Sequence, residues 1–311
     1  MKKILCICLS PAIQRTINFK NLTLGKVNRS KNYRQDASGK AINSARVLNQ
    51  LEKDCAFAIC PVGKKNLPLF SELAKKDNLN IKTFLIPGCT RECWTLLDNF
   101  AGSTTELVIS EPVLQNEADS KNSENINSEF LKLTEQNILQ ADALLLAGSR
   151  PQIWQKNLYA KIALIAKQNN KLFLADFIGE DLKNVIKTAI PDIIKINDEE
   201  FIETFANGSN LFQNNITESE LKEMICQKSA DLKNIIIITR GIKSTYAALN
   251  GKFYECPAEK VVAINTTACG DSFNAGFLYE YLHSNDLTNA LKKGTWCAAR
   301  NAEHECPGTI F

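Results

Sequence analysis

The most constraining feature of the chain is a regular alternation of short apolar runs with amphipathic segments between residues 130 and 239. The apolar runs predict strands at Ala143–Ala147, Leu172–Asp176, Ile193–Ile196 and Ile235–Thr239. The periodicity of the other segments predicts helices at Phe130–Leu139, Leu158–Gln168, Leu182–Thr188, Glu199–Phe205 and Glu218–Lys228. Strands that alternate with helices form a parallel sheet with helices on both faces, so we expect an α/β fold.

The first third of the chain does not follow this rhythm. Its strands are predicted at Ile4–Leu9, Ile13–Phe19, Val27–Tyr33, Cys55–Cys60, Ile81–Ile86, Trp94–Asp98 and Thr104–Ile109. Helices are predicted at Ala41–Leu51 and Leu67–Asp77, a turn at Asp36–Lys40, and a solvated loop at the polar run Gln115–Ser128. We therefore expect a small β-sheet lid built from segments near 12–34 and 88–110. No linker divides the chain, so we expect one domain over residues 1–311.

Composition excludes several classes of protein. A net charge of +3 is too small to indicate binding to nucleic acid or membranes. The apolar run Ile4–Leu9 is shorter than the core of a signal peptide, and no run approaches the roughly 18 apolar residues of a membrane span. Eleven cysteines without CxxC spacing and two histidines do not indicate zinc or a disulfide framework. A reducing cytoplasm is the expected location.

The stretch Asn265–Phe277 carries the clearest indication of chemistry. It follows a strand-like run, Val261–Ile264, and opens an apolar helix predicted at Phe273–Leu282. A glycine-bearing turn at a helix start leaves backbone N–H groups free, which favours an anion. Asp271 lies in that turn and has two interpretations. It either stabilises the helix N-terminus, as any first-turn acid does, or takes a proton from a nucleophile beside a bound phosphate.

Further polar and glycine-bearing turns follow predicted strands. They lie at Ser10, Gly63, Gly148-Ser149, Asp176, Asn197, Thr239-Arg240-Gly241 and Ala268–Asp271. Ligands of open parallel sheets bind beyond the carboxyl ends of the strands. Several of these turns are therefore expected to share one edge and to form a composite site.

Several motifs, taken in order, resemble those of a known family. The most specific are Asp36–Asn43 (DASGKAIN), Lys195–Glu200 (KINDEE) and Ala268–Phe273 (ACGDSF). Supporting motifs are Ser10–Ile13, Ala147–Ser149 before Pro151, and Asp176 with Gly179-Glu180. From Ser10 to Thr309 the chain resembles PfkB-type carbohydrate kinases of the ribokinase-like fold. Within that family it is similar to the branch of 1-phosphofructokinase and tagatose-6-phosphate kinase.

The resemblance implies that Asp271 is the base that takes the proton from the sugar hydroxyl. The backbone of Ala268, Cys269 and Gly270 would form the hole for the transferring phosphate. The residues implied in sugar binding are Gln14, Ser38, Gly39, Lys40, Asn43 and Ser149. A phosphorylated sugar also needs cations at its far end, and the candidates are Lys26, Arg29 and Arg91. Each of these three cationic side chains is equally compatible with an ordinary solvated surface position.

The resemblance also implies a nucleotide site and a metal. The residues near the nucleotide would be Lys195, Asn197, Thr239, Gly241 and Gly308. Glu200 would support Mg²⁺ mostly through water, as expected for an ion that dehydrates reluctantly. Asn197 would in any case also suit a helix N-cap. The implied cofactors are ATP and Mg²⁺, and the implied partners are a sugar phosphate and a second copy of the chain that binds through the lid.

The chain departs from the family pattern at several positions. Gln14 stands where many of these kinases have Asp, Arg150 replaces a frequent Leu, and Asn265 replaces an Asp that is common in cation-dependent sugar kinases. Ala268-Cys269 replaces Gly-Ala, and alanine strains the turn if the first position requires a positive φ. These departures leave two alternatives open: a PfkB kinase for an unphosphorylated sugar or nucleoside, and a sugar-binding relative without turnover.

Overall fold

The computed structural model describes residues 1–109, 117–206 and 216–311, which contain two β-sheets and the helices around them. The strands are β1 (Ile4–Ile7), β2 (Ala12–Phe19), β3 (Asn32–Ser38), β4 (Ala56–Gly63), β5 (Ile81–Ile86), β6 (Arg91–Asp98), β7 (Ser103–Val108), β8 (Ala143–Ala147), β9 (Leu172–Asp176), β10 (Ile193–Asn197), β11 (Ile235–Thr239), β12 (Thr245–Leu249) and β13 (Lys252–Cys256). The helices are α1 (Lys40–Leu51), α2 (Leu67–Lys76), α3 (Glu117–Ile138), α4 (Leu158–Gln168), α5 (Gly179–Thr188), α6 (Asp198–Phe205), α7 (Glu218–Leu232), α8 (Cys269–Ser284) and α9 (Leu287–Ala302).

The main sheet has the order β13-β12-β11-β10-β9-β8-β1-β4-β5. Its strands pair in parallel from β5 through β11, and β12 and β13 add an antiparallel edge. The four isoleucines 235–238 show why the middle of this sheet has no polar face. Ile235 and Ile237 pack into the apolar core on one side, and Ile236 and Ile238 into the core on the other.

Helices cover both faces of the main sheet, as the alternation of strands and helices predicts. One core contains apolar side chains of α1, α2, α8 and α9. The opposite core contains side chains of α3 to α7, including the fully buried Phe130 and Phe201. The predicted α/β class with a largely parallel central sheet is confirmed. No helix in the described part of the chain combines the length and apolarity that a bilayer crossing requires.

The small sheet has the order β3-β2-β6-β7. Residues that are paired directly across its strands point to the same side, and this side alternates along each strand. One face carries buried polar side chains, among them Gln14, Thr16, Asp36 and Thr95. The expected small β-sheet is therefore present, whereas the description of residues 1–311 as one domain stays a prediction.

Two polar contacts join the small sheet to the C-terminal part of the chain. The Thr267 hydroxyl donates to Glu106 Oε1 on β7 at 2.9 Å. Asn18 Nδ2 on β2 donates to Glu305 Oε1 at 2.7 Å. The small sheet is therefore held against the turn that precedes α8.

Some local predictions were wrong because long-range pairing decides the structure. The predicted strand Val27–Tyr33 is replaced by β3, which pairs with β2 so that Ser38 lies opposite Ala12. Most of the predicted turn Asp36–Lys40 therefore belongs to a strand, and the chain changes direction at Gly39. The run Val261–Ile264 forms no strand, because the Ile264 N–H donates to Ala302 O at the end of α9.

Other differences concern elements that sequence periodicity did not reveal. Residues 117–128 of the predicted polar loop lie in α3, while residues 115 and 116 lie outside the described residues. The β12–β13 hairpin and α9 were not predicted. Their local sequences are ordinary, and pairing with β11 and packing on α8 stabilise them.

Helices α8 and α9 approach each other unusually closely at two glycines. A Cβ placed on Gly276 would lie 2.6 Å from Lys293 O, and one on Gly294 would lie 3.0 Å from Phe273 O. Because real Cβ atoms essentially never come closer than 3.0 Å to another heavy atom, position 276 requires glycine, and a side chain at position 294 would force its neighbours to shift. This close contact fixes which turn of α8 lies beside the end of α9.

We predict that Gly276→Ala destabilises the protein by about 1 kcal/mol or more, because overpacking costs about 1–3 kcal/mol and exceeds the gain in helix propensity. Urea unfolding measures the change. Asn289→Ala, an exposed substitution on α9, serves as the control and is expected to change stability by less than about 0.5 kcal/mol. An unchanged or increased stability of Gly276→Ala would show that the two helices are not in this contact.

Candidate active site

The carboxyl ends of the central parallel strands meet at one edge, as the sequence predicts. Ala147 lies opposite Asp176, and Asn197 lies opposite Thr239. The starts of α1 and α8 reach the same edge, because Lys40 on α1 contacts Asp176 and Asn43 on α1 contacts Asp271 on α8. A composite site is thus built from segments that are far apart in the sequence.

The turn before α8 exposes backbone donors at this edge. The Cys269 N–H donates to Thr266 O at 3.2 Å, and Ala268 is the N-cap residue of α8. The N–H groups of Gly270 and Asp271 lie in the first helical turn, where the i−4 acceptors of the helix are missing. The helix dipole adds partial positive charge here, so this turn favours an anion.

Ala268 adopts the left-handed conformation, with φ 65° and ψ 11°. The first position of the turn therefore requires a positive φ, the condition under which alanine strains it. For an L-residue other than glycine this conformation costs roughly 1–2 kcal/mol. Surrounding contacts must stabilise the turn against this strain.

Asp271 is buried, with 7% of its surface exposed. Its Oδ2 accepts a hydrogen bond from Asn43 Nδ2 at 2.9 Å, and its backbone carbonyl accepts one from the Ser44 hydroxyl at 2.8 Å. Burial, followed by the nearby Asp176 carboxylate, raises the pKa of Asp271 to about 6. The carboxyl group is thus held beside α1, with a pKa close to neutral pH.

Asp176 binds two lysines at the centre of the site. Its side chain has no exposed surface and contacts Lys40 Nζ at 2.9 Å and Lys195 Nζ at 3.2 Å. Asn274 Nδ2 donates to the same carboxylate at 2.6 Å. Burial acts to raise the pKa of Asp176, but the two lysines outweigh it and hold this pKa well below its ordinary value. Asp176 also raises the pKa of Lys40.

Lys195 brings its charge directly to the turn before α8. A Cβ placed on Gly270 would lie 2.9 Å from Lys195 Nζ, so glycine leaves room for the ammonium group. The predicted phosphate turn and the predicted nucleotide-side lysine are thus adjacent in space.

The predicted sugar turn lies next to Asp271. Asn43 Oδ1 accepts hydrogen bonds from the Ser38 hydroxyl at 3.0 Å and from Arg46 Nη1 at 2.9 Å. Gly39 has φ 136°, and a Cβ there would lie 2.7 Å from Cys8 Sγ and 3.1 Å from Pro11 Cα. Packing against the end of β1 therefore requires glycine at this position.

The remaining sugar-side candidates fall into two groups. Arg91 lies at the site end of the small sheet, where its Nη2 donates to Ser10 O at 3.3 Å. Gln14 Nε2 donates to the Thr95 hydroxyl at 2.6 Å, and Ser149 is exposed just after β8.

Lys26 and Arg29 belong to the second group. They lie in the exposed loop between β2 and β3, at the opposite end of these strands from Ser38. With six residue steps between Asn32 and Ser38, this end is about 20 Å from Ser38 along the strand. The structure does not bring this loop to Asp271 within the same chain.

The predicted nucleotide-side residues lie in three places. Asn197 and Glu200 form a capping box at the start of α6, with Asn197 Oδ1 accepting from the Glu200 N–H at 2.7 Å. Thr239 ends the neighbouring strand, and Gly241 adopts φ 59° in the turn that follows. Gly308 instead packs against α1, where a Cβ would lie 3.2 Å from Asn43 O. Its place beside a nucleotide stays a prediction.

Glu200, the residue expected to support a magnesium ion, has one carboxylate oxygen facing Lys40 at the site. Within residues 1–109, 117–206 and 216–311, no group of three or more His, Cys, Asp or Glu side chains could enclose a metal. Glu200 uses Oε2 in its capping box, and Oε1 lies 3.9 Å from Lys40 Nζ at the site. One carboxylate oxygen suits an ion held largely by water and phosphate oxygens.

Several functional contacts were not predicted from the sequence. Asp176 was recognised as a strand-end residue of the composite site and as part of a supporting motif, but its binding of two lysines was missed. Asn274 lies one turn after Asp271 on α8, and this spacing was the available indication of a shared helix face. Arg150, which replaces a frequent Leu of the family, donates to Asp181 Oδ1 at 2.8 Å and to Trp154 O at 2.7 Å.

A carboxylate at a helix N-terminus, backbone donors and two lysines are the kinds of group that phosphoryl transfer uses. A family model described as "pfkB family carbohydrate kinase" matches residues 1–310. The chain therefore belongs to the PfkB family, whose members transfer phosphate to a sugar hydroxyl.

Known proteins similar to the chain agree with this assignment. A tagatose-6-phosphate kinase of Staphylococcus epidermidis is 27% identical over 310 residues, covering 99% of this chain and 94% of the relative. The Escherichia coli phosphofructokinase-2 complex with fructose-6-phosphate has a TM-score of 0.80 at 16% identity, covering 97% and 94%. A Thermotoga maritima protein described as a possible 1-phosphofructokinase has a TM-score of 0.81 at 15% identity, covering 98% and 93%. At these identities the two structures show the ribokinase-like fold alone.

We predict that Asp271 makes the stability of the protein depend on pH. Because its folded pKa of about 6 lies above the ordinary value of 3.8, the folded state binds the proton more tightly. We predict that this contribution to stability is full below about pH 4 and is lost as pH rises through about 6. The loss is about 3 kcal/mol.

The measurement is the difference in the free energy of unfolding between wild type and Asp271→Asn, determined by denaturant unfolding at pH values from 4 to 8. The difference removes the titration of groups common to both proteins. A difference that does not vary with pH would contradict the raised pKa.

We predict that Ala268→Gly stabilises the protein by about 0.5–1 kcal/mol, because glycine relieves the left-handed strain and this relief exceeds its entropic cost. Denaturant unfolding measures the effect. Ala298→Gly, inside α9, is the matched control and should destabilise by up to about 1 kcal/mol. Destabilisation by both substitutions would show that Ala268 is not strained.

Proposed function

We propose that the chain is an ATP- and Mg²⁺-dependent kinase that phosphorylates a hydroxyl of a ketohexose phosphate, as 1-phosphofructokinase or tagatose-6-phosphate kinase do. The single observation that carries the proposal is the hydrogen bond between Asn43 and Asp271, which joins the sugar turn to the base of the phosphate turn. The tagatose-6-phosphate kinase relative and the phosphofructokinase structures support the substrate class.

Asp271 acts as the general base. A carboxylate with a pKa near 6 is largely ionised at neutral pH, yet basic enough to accept the hydroxyl proton as the new bond to phosphorus forms. Asn43 orients the carboxylate through Oδ2, which leaves Oδ1 for the substrate. A positioned base of this kind contributes about 10²–10⁴-fold in rate.

The turn before α8 binds the transferring phosphoryl group. Its negative charge spreads over three oxygens during transfer, so fixed donors and cations beside it lower the barrier. The N–H of Gly270 and the ammonium groups of Lys195 and Lys40 supply these charges. Because Asp176 already holds both lysines in place, little reorganisation is needed when the phosphate arrives.

The nucleotide lies along the ends of β10 and β11 in this proposal. Lys195, Asn197, Thr239 and Gly241 line that edge. Mg²⁺, held by Glu200 through water, would neutralise charge on the nucleotide phosphates when bound.

Arg91 is the proposed partner of the second phosphate on the sugar. It lies beside Ser10 at the site end of the small sheet, and guanidinium matches phosphate through its fork of donors. Lys26 and Arg29 lie at the far end of that sheet within one chain. They join the site only in an assembly that brings the loop of a second copy to it.

A homodimer through the small sheet is part of the proposal. The face opposite Gln14 carries half-buried Ile17, Trp94 and Leu96 and the exposed Tyr33 and Leu107. An apolar face of this kind favours a protein partner. The name of one similar structure describes a tetrameric inhibited form of Escherichia coli phosphofructokinase-2. We also propose a cytoplasmic location, where ATP and sugar phosphates are found.

The function is tested by measuring ADP release over a panel of sugars and sugar phosphates. We predict release with a ketohexose phosphate, and we predict that Asp271→Asn reduces it by about 10²-fold or more while ATP binding persists. Ser284→Ala, at the far end of α8, is the control that keeps the helix and leaves the site untouched.

Three outcomes would contradict the proposed function. Release with free sugars or nucleosides alone would indicate the alternative PfkB substrate class. Binding of sugars without any ADP release would indicate a relative that has lost turnover. Full activity of Asp271→Asn would remove the assignment of the base.

Changing Arg91 to Ala separates the two classes of substrate. We predict that Arg91→Ala raises KM for the phosphorylated sugar by about tenfold or more, as the loss of one charge-assisted contact of roughly 1.5–3 kcal/mol implies. KM for the corresponding free sugar should change much less. Lys20→Ala, an exposed cation at the far end of β2, is the matched control. Equal effects of Arg91→Ala on both KM values would remove the second-phosphate role.

A further inference from the structure

Asn301 lies in the last turn of α9 with no exposed surface, and its side-chain amide uses its full hydrogen-bonding capacity. Nδ2 donates to Thr267 O at 2.9 Å and to Cys269 Sγ at 3.3 Å. Oδ1 accepts from the Ser272 hydroxyl at 3.1 Å and from the Gly308 N–H at 2.6 Å. One buried side chain thus joins the phosphate turn, the first turn of α8 and the C-terminal segment.

The bond to Thr267 O fixes a peptide plane that contributes to the anion site. In a trans peptide the C=O and the following N–H point in opposite directions. Because Asn301 binds the Thr267 carbonyl, the Ala268 N–H of the same peptide points away from Asn301. On the other side of Thr267, its own N–H donates to Asn265 Oδ1 at 3.0 Å.

The strain at Ala268 acts on this same peptide plane. Rotation of the Thr267–Ala268 peptide by about half a turn would move φ of Ala268 from 65° to about −115°, out of the left-handed region that strains an alanine. The rotation would also break the Asn301 bond to Thr267 O and turn the Ala268 N–H towards the interior. Strain therefore favours the rotation, and the Asn301 bond opposes it.

We propose that Asn301 is a positioning residue, which holds the Thr267–Ala268 peptide so that the Ala268 N–H faces the transferring phosphate despite the strain of a left-handed alanine. The inference rests on the proposed function for its kinetic consequence, but not for its structural one. Close packing of Gly276 and Gly294 sets the position from which Asn301 reaches the turn.

The structural test is a crystal structure of Asn301→Ala, with Asn301→Asp as a second variant that keeps the volume and the acceptor but removes both donors. We expect φ of Ala268 to become negative in either variant. In the double variant Asn301→Ala with Ala268→Gly, φ stays positive, because glycine adopts this conformation freely. A positive φ of Ala268 in Asn301→Ala and in Asn301→Asp would overturn the proposal, whether or not the protein is a kinase.

The kinetic test uses the same variants with the substrate found in the panel. Because Asn301→Ala removes one oriented backbone donor, we predict that its kcat falls by about 10²-fold. KM for ATP and KM for the sugar should each change by less than about threefold. Adding Ala268→Gly should restore at least about fivefold of that loss. A parallel rise in both KM values, or no recovery on adding glycine, would contradict a positioning role.

Asn234 provides a matched control. It is also a buried asparagine, and its Nδ2 donates to Pro191 O at 3.0 Å, remote in sequence from the phosphate turn. Asn234→Ala should lower stability and leave both kcat and φ of Ala268 unchanged. A fall in kcat like that of Asn301→Ala would mean that general loss of stability explains both, which overturns the proposal. Absence of turnover in the wild type would instead reject the proposed function and leave the crystallographic result to decide the role of Asn301.

Discussion

The site depends on a buried carboxylate, Asp176, that holds two lysines. Removing a carboxylate from water costs several kcal/mol, and this cost is recovered only when opposite charges and hydrogen bonds surround it. Lys40, Lys195 and Asn274 do so here. The lysines come from different elements, α1 and β10, so their shared carboxylate fixes where positive charge lies at the edge of the sheet. The same negative charge helps to raise the pKa of Asp271.

The other parts of the site are arranged around this charge. Asn43 and Asp271, which are 228 residues apart in the sequence, are joined by a hydrogen bond between α1 and α8. The crossing of α8 over α9 brings Asn301 to the turn that carries Ala268. The small sheet contacts the same turn through Glu106 and Thr267. The Asp271 carboxylate, the backbone donors and the lysines thus meet because four distant segments, α1, α8, α9 and the small sheet, pack together near one edge of the parallel sheet.

Much of the fold was predictable from local sequence, since buried parallel strands such as Ile235–Thr239 have no polar face and leave a clear apolar run. The position of Asp271 in the first turn of a helix was also predictable. The strand Asn32–Ser38 was not, because its pairing with β2 overrides a composition typical of a turn. The roles of Asp176 and Asn301 arise from contacts between distant residues, which no local pattern contains. From the sequence we expected strain at Ala268 if this position required a positive φ, and Ala268 has φ 65° in the structure.

Whether Asp176 sets the electrostatics of the site is decided by the pKa of the Asp271 carboxyl group, determined by ¹³C NMR in the wild type and in Asp176→Asn. We predict a pKa near 6 in the wild type. We predict a lower pKa in Asp176→Asn, because the neighbouring negative charge is gone and the positive charges of Lys40 and Lys195 are no longer neutralised. An unchanged or higher pKa in Asp176→Asn would contradict the claim that Asp176 sets the electrostatics of this site.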